Sequence, residues 1–230
     1  MKNCEKMPID FFLQNTFDVA VSLLGAFLFT SDEDGHITGG KIVETEVYLG
    51  GIDKASHSYK GRFTKRTSIQ FEEGGKSYIF SIYGKYFQFC VVTGPKNVSD
   101  VVLIRALEPI EGIEIMKKRR RRDALDELTT GPGKLCQALG ITKELYGADL
   151  TGDRNWIAPC KREIPIEKIL VAPRIGIDYA EEFAGKFWRF YIDDNHFVSR
   201  KDKHAKYLVD MDSREYFLSR LPNPVCTGRK

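Results

Sequence analysis

Short apolar runs alternate with polar turns along this chain, and only a few stretches carry a helical stripe. Thr16 or Asp18 can cap a short helix reaching Leu24, with Gly25 as its stop. Residues 26–30 then read as a strand. Asp32-Glu33-Asp34-Gly35 turns the chain into a second strand, roughly 39–48. Further strands are predicted over 77–82 and 87–92, joined by the hairpin Tyr83-Gly84-Lys85-Tyr86, and over 101–106. Pro109 opens a predicted helix running to about Arg122, with Ile110, Ile113 and Met116 on its inner stripe. Gly131-Pro132-Gly133 starts another over 134–139, stopped by Gly140. Two later strands fall near 169–171 and 187–191. Hairpin-joined strands of this kind predict an α+β fold, a single mixed domain with a mostly antiparallel sheet and surrounding helices. No repeat or linker divides the chain, so 1–230 is read as one domain, with 1–15 and 220–230 loosely attached.

Composition changes this picture little. The chain of 230 residues is 42% hydrophobic and 29% charged, with a net charge of +3, which is ordinary for a globular domain. The distribution of charge is more informative, because Lys117 to Arg122 is an unbroken run of cations. Five cysteines lie scattered without C-x-x-C spacing, which argues against a disulfide framework or a zinc site and fits a reducing compartment. The apolar run at 19–29 is too short to span a bilayer and lacks a basic leader. The expectation is a soluble cytoplasmic protein that does not meet a membrane.

The candidate chemistry centres on Ile42-Val43-Glu44-Thr45-Glu46-Val47-Tyr48-Leu49-Gly50. Alternation places Glu44, Glu46 and Tyr48 on one side of a strand and Val43, Thr45 and Val47 on the other. Acids on a half-buried strand need partners or a task. Asp53 and His57 follow closely. Arg105 ends the apolar run Val101-Val102-Leu103-Ile104, so its guanidinium needs a carboxylate, either Glu46 or Glu108. Tyr83 and Tyr86 flank a hairpin tip carrying Lys85, and aromatic rings so exposed suit a wedge pushed into a DNA duplex. Lys60, Arg62, Lys65, Arg66 and the run containing Arg120 add phosphate-seeking charge.

Five segments fall in the order and rough spacing of one family. They are residues 43–50, Ala55-Ser56-His57-Ser58, Tyr83-Gly84-Lys85-Tyr86-Phe87, the stretch from Ile104 to Gly112, and Gly131-Pro132-Gly133-Lys134-Leu135-Cys136-Gln137-Ala138-Leu139. Over roughly residues 16–200 the sequence resembles the alkyladenine (3-methyladenine) DNA glycosylases of the vertebrate and bacterial type. The resemblance implies a single mixed domain with a curved antiparallel sheet. It implies that Glu46 is the general base and that Arg105 helps hold the attacking water. Tyr48 and His57 would stack on and hydrogen-bond an extruded purine, and Tyr83 would fill the hole left in the duplex. Thr64, Arg66 and Lys134 match positions near the family's phosphate-contacting loops.

Two positions depart from the vertebrate pattern. Phe80 stands where a third pocket aromatic is a tyrosine. Cys90 stands where an asparagine obstructs the amino group of undamaged guanine, so a smaller thiol leaves more room there. The expected activity is hydrolysis of the N-glycosidic bond of alkylated or deaminated purines in double-stranded DNA. It would be carried out by a monomer associated with a bacterial nucleoid, without metal or cofactor. An adjacent guanidinium favours the ionised form of Glu46 that a general base needs. Two competing readings are a metal-dependent phosphodiesterase using Glu44, Glu46, Asp53 and His57, and a non-catalytic reader of distorted DNA.

Overall fold

The computed structural model describes residues 5–82, 84–160 and 162–211. Nine strands form one antiparallel sheet: β1 (Phe27–Ser31), β2 (Ile37–Tyr48), β3 (Ser77–Ile82), β4 (Tyr86–Thr93), β5 (Asp100–Glu111), β6 (Asn155–Ala158), β7 (Ile169–Ala172), β8 (Arg189–Ile192) and β9 (Lys206–Tyr207). The main order is β3-β4-β5-β2-β8-β7-β9, with β1 and β6 branching from the first half of β2. The helices are α1 (Ile9–Phe12), α2 (Thr16–Ser22), α3 (Ile113–Arg120) and α4 (Pro132–Leu139). The α+β architecture expected from the sequence is therefore present. Among the described residues, no helix is long and apolar enough to cross a membrane.

One sheet face carries the main core. Val43, Val47, Val91, Val102 and Ile104 pack there with Phe17 and Ala20 of α2, with Leu23 just after it, and with Leu135 and Leu139 of α4. The helix α2 begins at Thr16 and is capped by neither predicted residue but by Asn15, whose side chain accepts the Phe17 N–H at 3.0 Å. At α4, Pro132 occupies the first turn and Gly140 ends the helix in the left-handed region, as the sequence indicates. Within the described segment ahead of α2, Phe12 is fully buried.

The predicted helix from Pro109 is wrong. Strand β5 continues through Pro109 to Glu111, Gly112 (φ 70°) caps the next element, and α3 begins only at Ile113. Leu107 N–H points away from β2 and donates to Thr129 O. Two residues on, the Pro109 nitrogen faces that same side, so its missing proton removes no bond to β2. Ile110 is consequently an exposed strand residue, whereas Met116 is buried as expected. The cations Lys117 to Arg120 form the last turn of α3, where the helix dipole favours them. Short strands β6 and β9 were not visible as patterns. The hairpin tip residue Tyr83 and the tail from Arg220 lie outside the described residues.

Candidate active site

Strand β2 changes partner along its length. Its first half pairs with β1 and β5, whereas Glu44, Thr45 and Glu46 pair with Tyr191, Phe190 and Arg189 of β8 and with β5 on the other side. Both acids are thereby enclosed between neighbouring strands, and each is fully buried. Two register shifts interrupt the β2–β5 ladder between Ile42 and Thr45. In the second, Glu44 faces Ala106 but Thr45 faces Ile104, so Arg105 is the extra residue of a bulge. A bulge re-aims a side chain, and this one directs Arg105 between the two acids.

Arg105 Nη1 lies 3.2 Å from Glu46 Oε2, and Arg105 Nε lies 3.3 Å from Glu44 Oε1. The second contact is an ion pair without hydrogen-bond alignment. Of the two partners predicted for Arg105, Glu46 is the one found, while Glu108 pairs with Lys41 at 2.5 Å. Glu44 is further held by Arg189 Nη1 at 3.0 Å and Ser199 N–H at 2.7 Å. A buried acid so compensated is a structural anchor for Arg105.

Glu46 has a different set of partners. Tyr48 donates its hydroxyl to Oε2 at 2.8 Å, and Ile175 N–H donates to Oε1 at 2.9 Å. A carboxylate offers about four acceptor positions, so with Arg105 present the position left open is on Oε1, beside Ile175. Burial, and then the Glu46 charge, push the Tyr48 phenol well above its usual range, so Tyr48 remains a donor.

Tyr48, Arg105 and Ile175 line a cavity of about 740 Å³. Its wall is the second sheet face, read residue by residue: Tyr78 pairs with Cys90, Cys90 with Leu103, and Phe80 with Gln88, all of them lining residues. His57 closes one side, its ring 4.7 Å from Phe80 and edge-on to it. Arg66 Nη2 donates to His57 Nε2 at 3.1 Å, which assigns the ring proton to Nδ1, 2.8 Å from the Tyr78 hydroxyl. Burial, followed by the charges of Arg66 and Arg62, lowers the His57 pKa to about 4. The imidazole is therefore neutral at physiological pH, a flat face and not a cation.

The sequence-predicted residues thus fall into groups. Arg105, Tyr48, His57, Phe80 and Cys90 line the cavity, with Cys90 only 2% exposed, and Glu46 lies fully buried directly behind Tyr48 and Arg105. Burial pushes the Cys90 thiol up, so it is uncharged. Lys134 and Arg120 line the far rim. There Lys134 Nζ lies 3.2 Å from Thr130 Oγ1, and Arg120 bonds the Gln137 side chain and Glu127 O. Arg66 is exposed, and its guanidinium also lies 5.2 Å over the Phe80 ring. Thr64 is engaged with Thr67 within its own turn.

Sequence reasoning missed Tyr78, Arg174 and Ile175. The alternation of 77–82 contains Tyr78 in the same phase as Phe80, a signal that could have found it. Arg174 sits in a loop after β7 and meets Asp53 only through tertiary folding.

The metal reading fails on this geometry. Glu44, Glu46 and Asp53 are each paired with a guanidinium, which opposes a second positive charge. Among the described residues, the acids and histidine whose ligand atoms do converge are Asp32, Asp34 and His36, in the turn before β2.

Buried acids paired with guanidiniums lie behind an aromatic cavity rimmed by cations, an arrangement that suits a flat ring. A family model described as methylpurine-DNA glycosylase matches residues 10–196. A protein of Clostridium novyi provisionally named a 3-methyladenine DNA glycosylase is 46% identical over 205 residues, covering 86% of this chain and 100% of its own. One of Bacillus cytotoxicus bearing the same name is 45% identical over 204 residues, 85% of this chain and 100% of its own. The chain belongs to the methylpurine-DNA glycosylase family and is a DNA glycosylase.

Proposed function

We propose that this chain is a monofunctional glycosylase of base excision repair. It extrudes an alkylated or deaminated purine, such as 3-methyladenine, 7-methylguanine or hypoxanthine, from duplex DNA and hydrolyses its N-glycosidic bond. The observation that carries this reading is the Glu46 carboxylate, fixed by Tyr48, Arg105 and Ile175 with one acceptor position open on Oε1. A water held there would attack C1′ of the extruded nucleotide and give its proton to Glu46, while the purine leaves with the electrons of the broken bond. The acid end of the cavity is walled by Tyr48, His57, Cys90 and Arg105 without a lysine amine. The products would be a free base and an intact abasic strand, without a Schiff base.

Tyr48, Phe80 and the neutral His57 would supply the flat faces for the extruded ring. Tyr83 would occupy the vacated stack, and Thr64, Arg66, Arg120 and Lys134 would meet the phosphates. The protein would act as a monomer in the cytoplasm, on the nucleoid.

The test is a duplex carrying one hypoxanthine, incubated with the protein in EDTA and then treated with alkali. Strand cleavage only after alkali supports base removal. Cleavage without alkali overturns it in favour of a nuclease or lyase, and no cleavage in either sample shows that hypoxanthine is not a substrate.

A further inference from the structure

Against Tyr48, and outside the residues that line the cavity, lies a group that the proposed chemistry does not use. The Arg174 guanidinium is 4.5 Å from the Tyr48 ring centroid and 4.9 Å from that of Trp188. It pairs with the fully buried Asp53 through both terminal nitrogens, Nη2 to Oδ1 at 2.9 Å, and donates from Nη1 to Val47 O at 2.8 Å. Arg174 is itself 5% exposed, and its peptide link leads directly to Ile175, the donor to Glu46. The cation is locked against one π-face of Tyr48 while the ring also lines the cavity.

The buried charges around the acid end of the cavity also balance, and the exposed Arg66 guanidinium beside His57 and Phe80 adds a positive one. The buried carboxylates of Glu44, Glu46 and Asp53 face the buried guanidiniums of Arg105, Arg174 and Arg189. Asp202, 3.7 Å from Arg189, is partly solvated. A wall whose buried charges cancel, with one further cation at its edge, gives no net attraction to a cationic base. A guanidinium against Tyr48 also withdraws part of the ring's negative potential that a cation in the cavity would use.

We infer that Arg174, with Asp53, sets the charge preference of the base pocket, weakening Tyr48 as a partner for cationic purines so that neutral purines compete. This rests on the glycosylase reading above, and Arg174 acts in it as a positioning residue. The effect concerns relative preference, since a cationic purine is intrinsically the better leaving group.

The test compares kcat/KM for hypoxanthine with that for 7-methylguanine in duplex DNA, at a mildly acidic pH where the second base keeps its charge. In the double variant D53N/R174M, which removes both charges together, the ratio should move toward 7-methylguanine by about threefold or more, and through KM. In R174K, which keeps the charge, it should stay within about twofold of the native ratio. An unchanged ratio in the folded double variant, or a shift toward hypoxanthine, overturns the inference. A native protein that releases neither base overturns the glycosylase reading instead. Should the double variant not fold, 9-methyladenine and 7,9-dimethyladeninium are compared as competitors of hypoxanthine release by the native protein. Inhibition constants within about threefold support the inference, and a cation favoured by about tenfold or more overturns it.

Discussion

Tyr48 donates its hydroxyl to the carboxylate of Glu46 at 2.8 Å, two residues back on the same strand. Strand alternation places the two side chains on one face, and the bulge in β5 brings Arg105 to the same oxygen. An aromatic wall and a general base are thus one hydrogen-bonded unit, so a change in either is felt by the other.

Glu46→Gln keeps the size of the side chain and removes the proton acceptor. Release of hypoxanthine in single-turnover assays should fall by about 10²–10⁴-fold, the usual worth of a general base. Affinity for the lesion-bearing duplex, followed by fluorescence anisotropy, should stay close to native. An E46Q protein that retains turnover would show that the base lies elsewhere.

Arg105→Met leaves Glu44 and Glu46 buried beside a missing cation. The expected loss of stability is about 3–5 kcal/mol, read by urea denaturation, together with loss of turnover. Arg189 still compensates Glu44, so E46Q combined with R105M should recover part of the stability and none of the activity.

His57 connects the pocket to acid sensitivity. Its folded pKa, about 4, lies below its ordinary 6.5, so the unfolded chain takes up the proton first as pH falls. Stability from this group is therefore present above about pH 6.5 and is lost progressively toward pH 4. The whole shift corresponds to about 3 kcal/mol. His57→Gln should flatten this part of the dependence of melting temperature on pH. The same slope in both proteins would assign the acid sensitivity to other groups.

Cys90→Asn restores a larger, polar side chain beside Tyr78 and Leu103. Release of undamaged guanine from ordinary duplex DNA should decrease in C90N, measured by chromatography of freed bases. Hypoxanthine release should change less, because that base lacks the exocyclic amine. Equal loss on both would indicate general overpacking of the site.

Lys134→Ala at the rim should weaken binding to every duplex alike. The slope of log Kd against log salt should fall by about 0.9 if Lys134 neutralises one phosphate. An unchanged slope would place Lys134 off the DNA path.

Much of the sheet and the acid end of the site could be read along the chain. The strand over 77–82 and the stop at Gly140 follow from local alternation and turn chemistry, which neighbouring residues settle among themselves. Grouping Glu46 with Tyr48 on one strand face, and Tyr78 with Phe80 on another, also needs no more than the two-residue period of a strand. Local signals misled at Pro109, where pairing of β5 with β2 outweighed the preference of proline for a helix start. What only the tertiary structure decided are the partners that arrive from far along the chain: Arg174 on Asp53, Arg189 on Glu44 and Ile175 N–H on Glu46. A buried acid announces that it needs compensation, because an unpaired charge away from water is too costly to keep. Which guanidinium supplies it depends on strand order and on a bulge of a single residue, neither of which any short stretch of sequence contains.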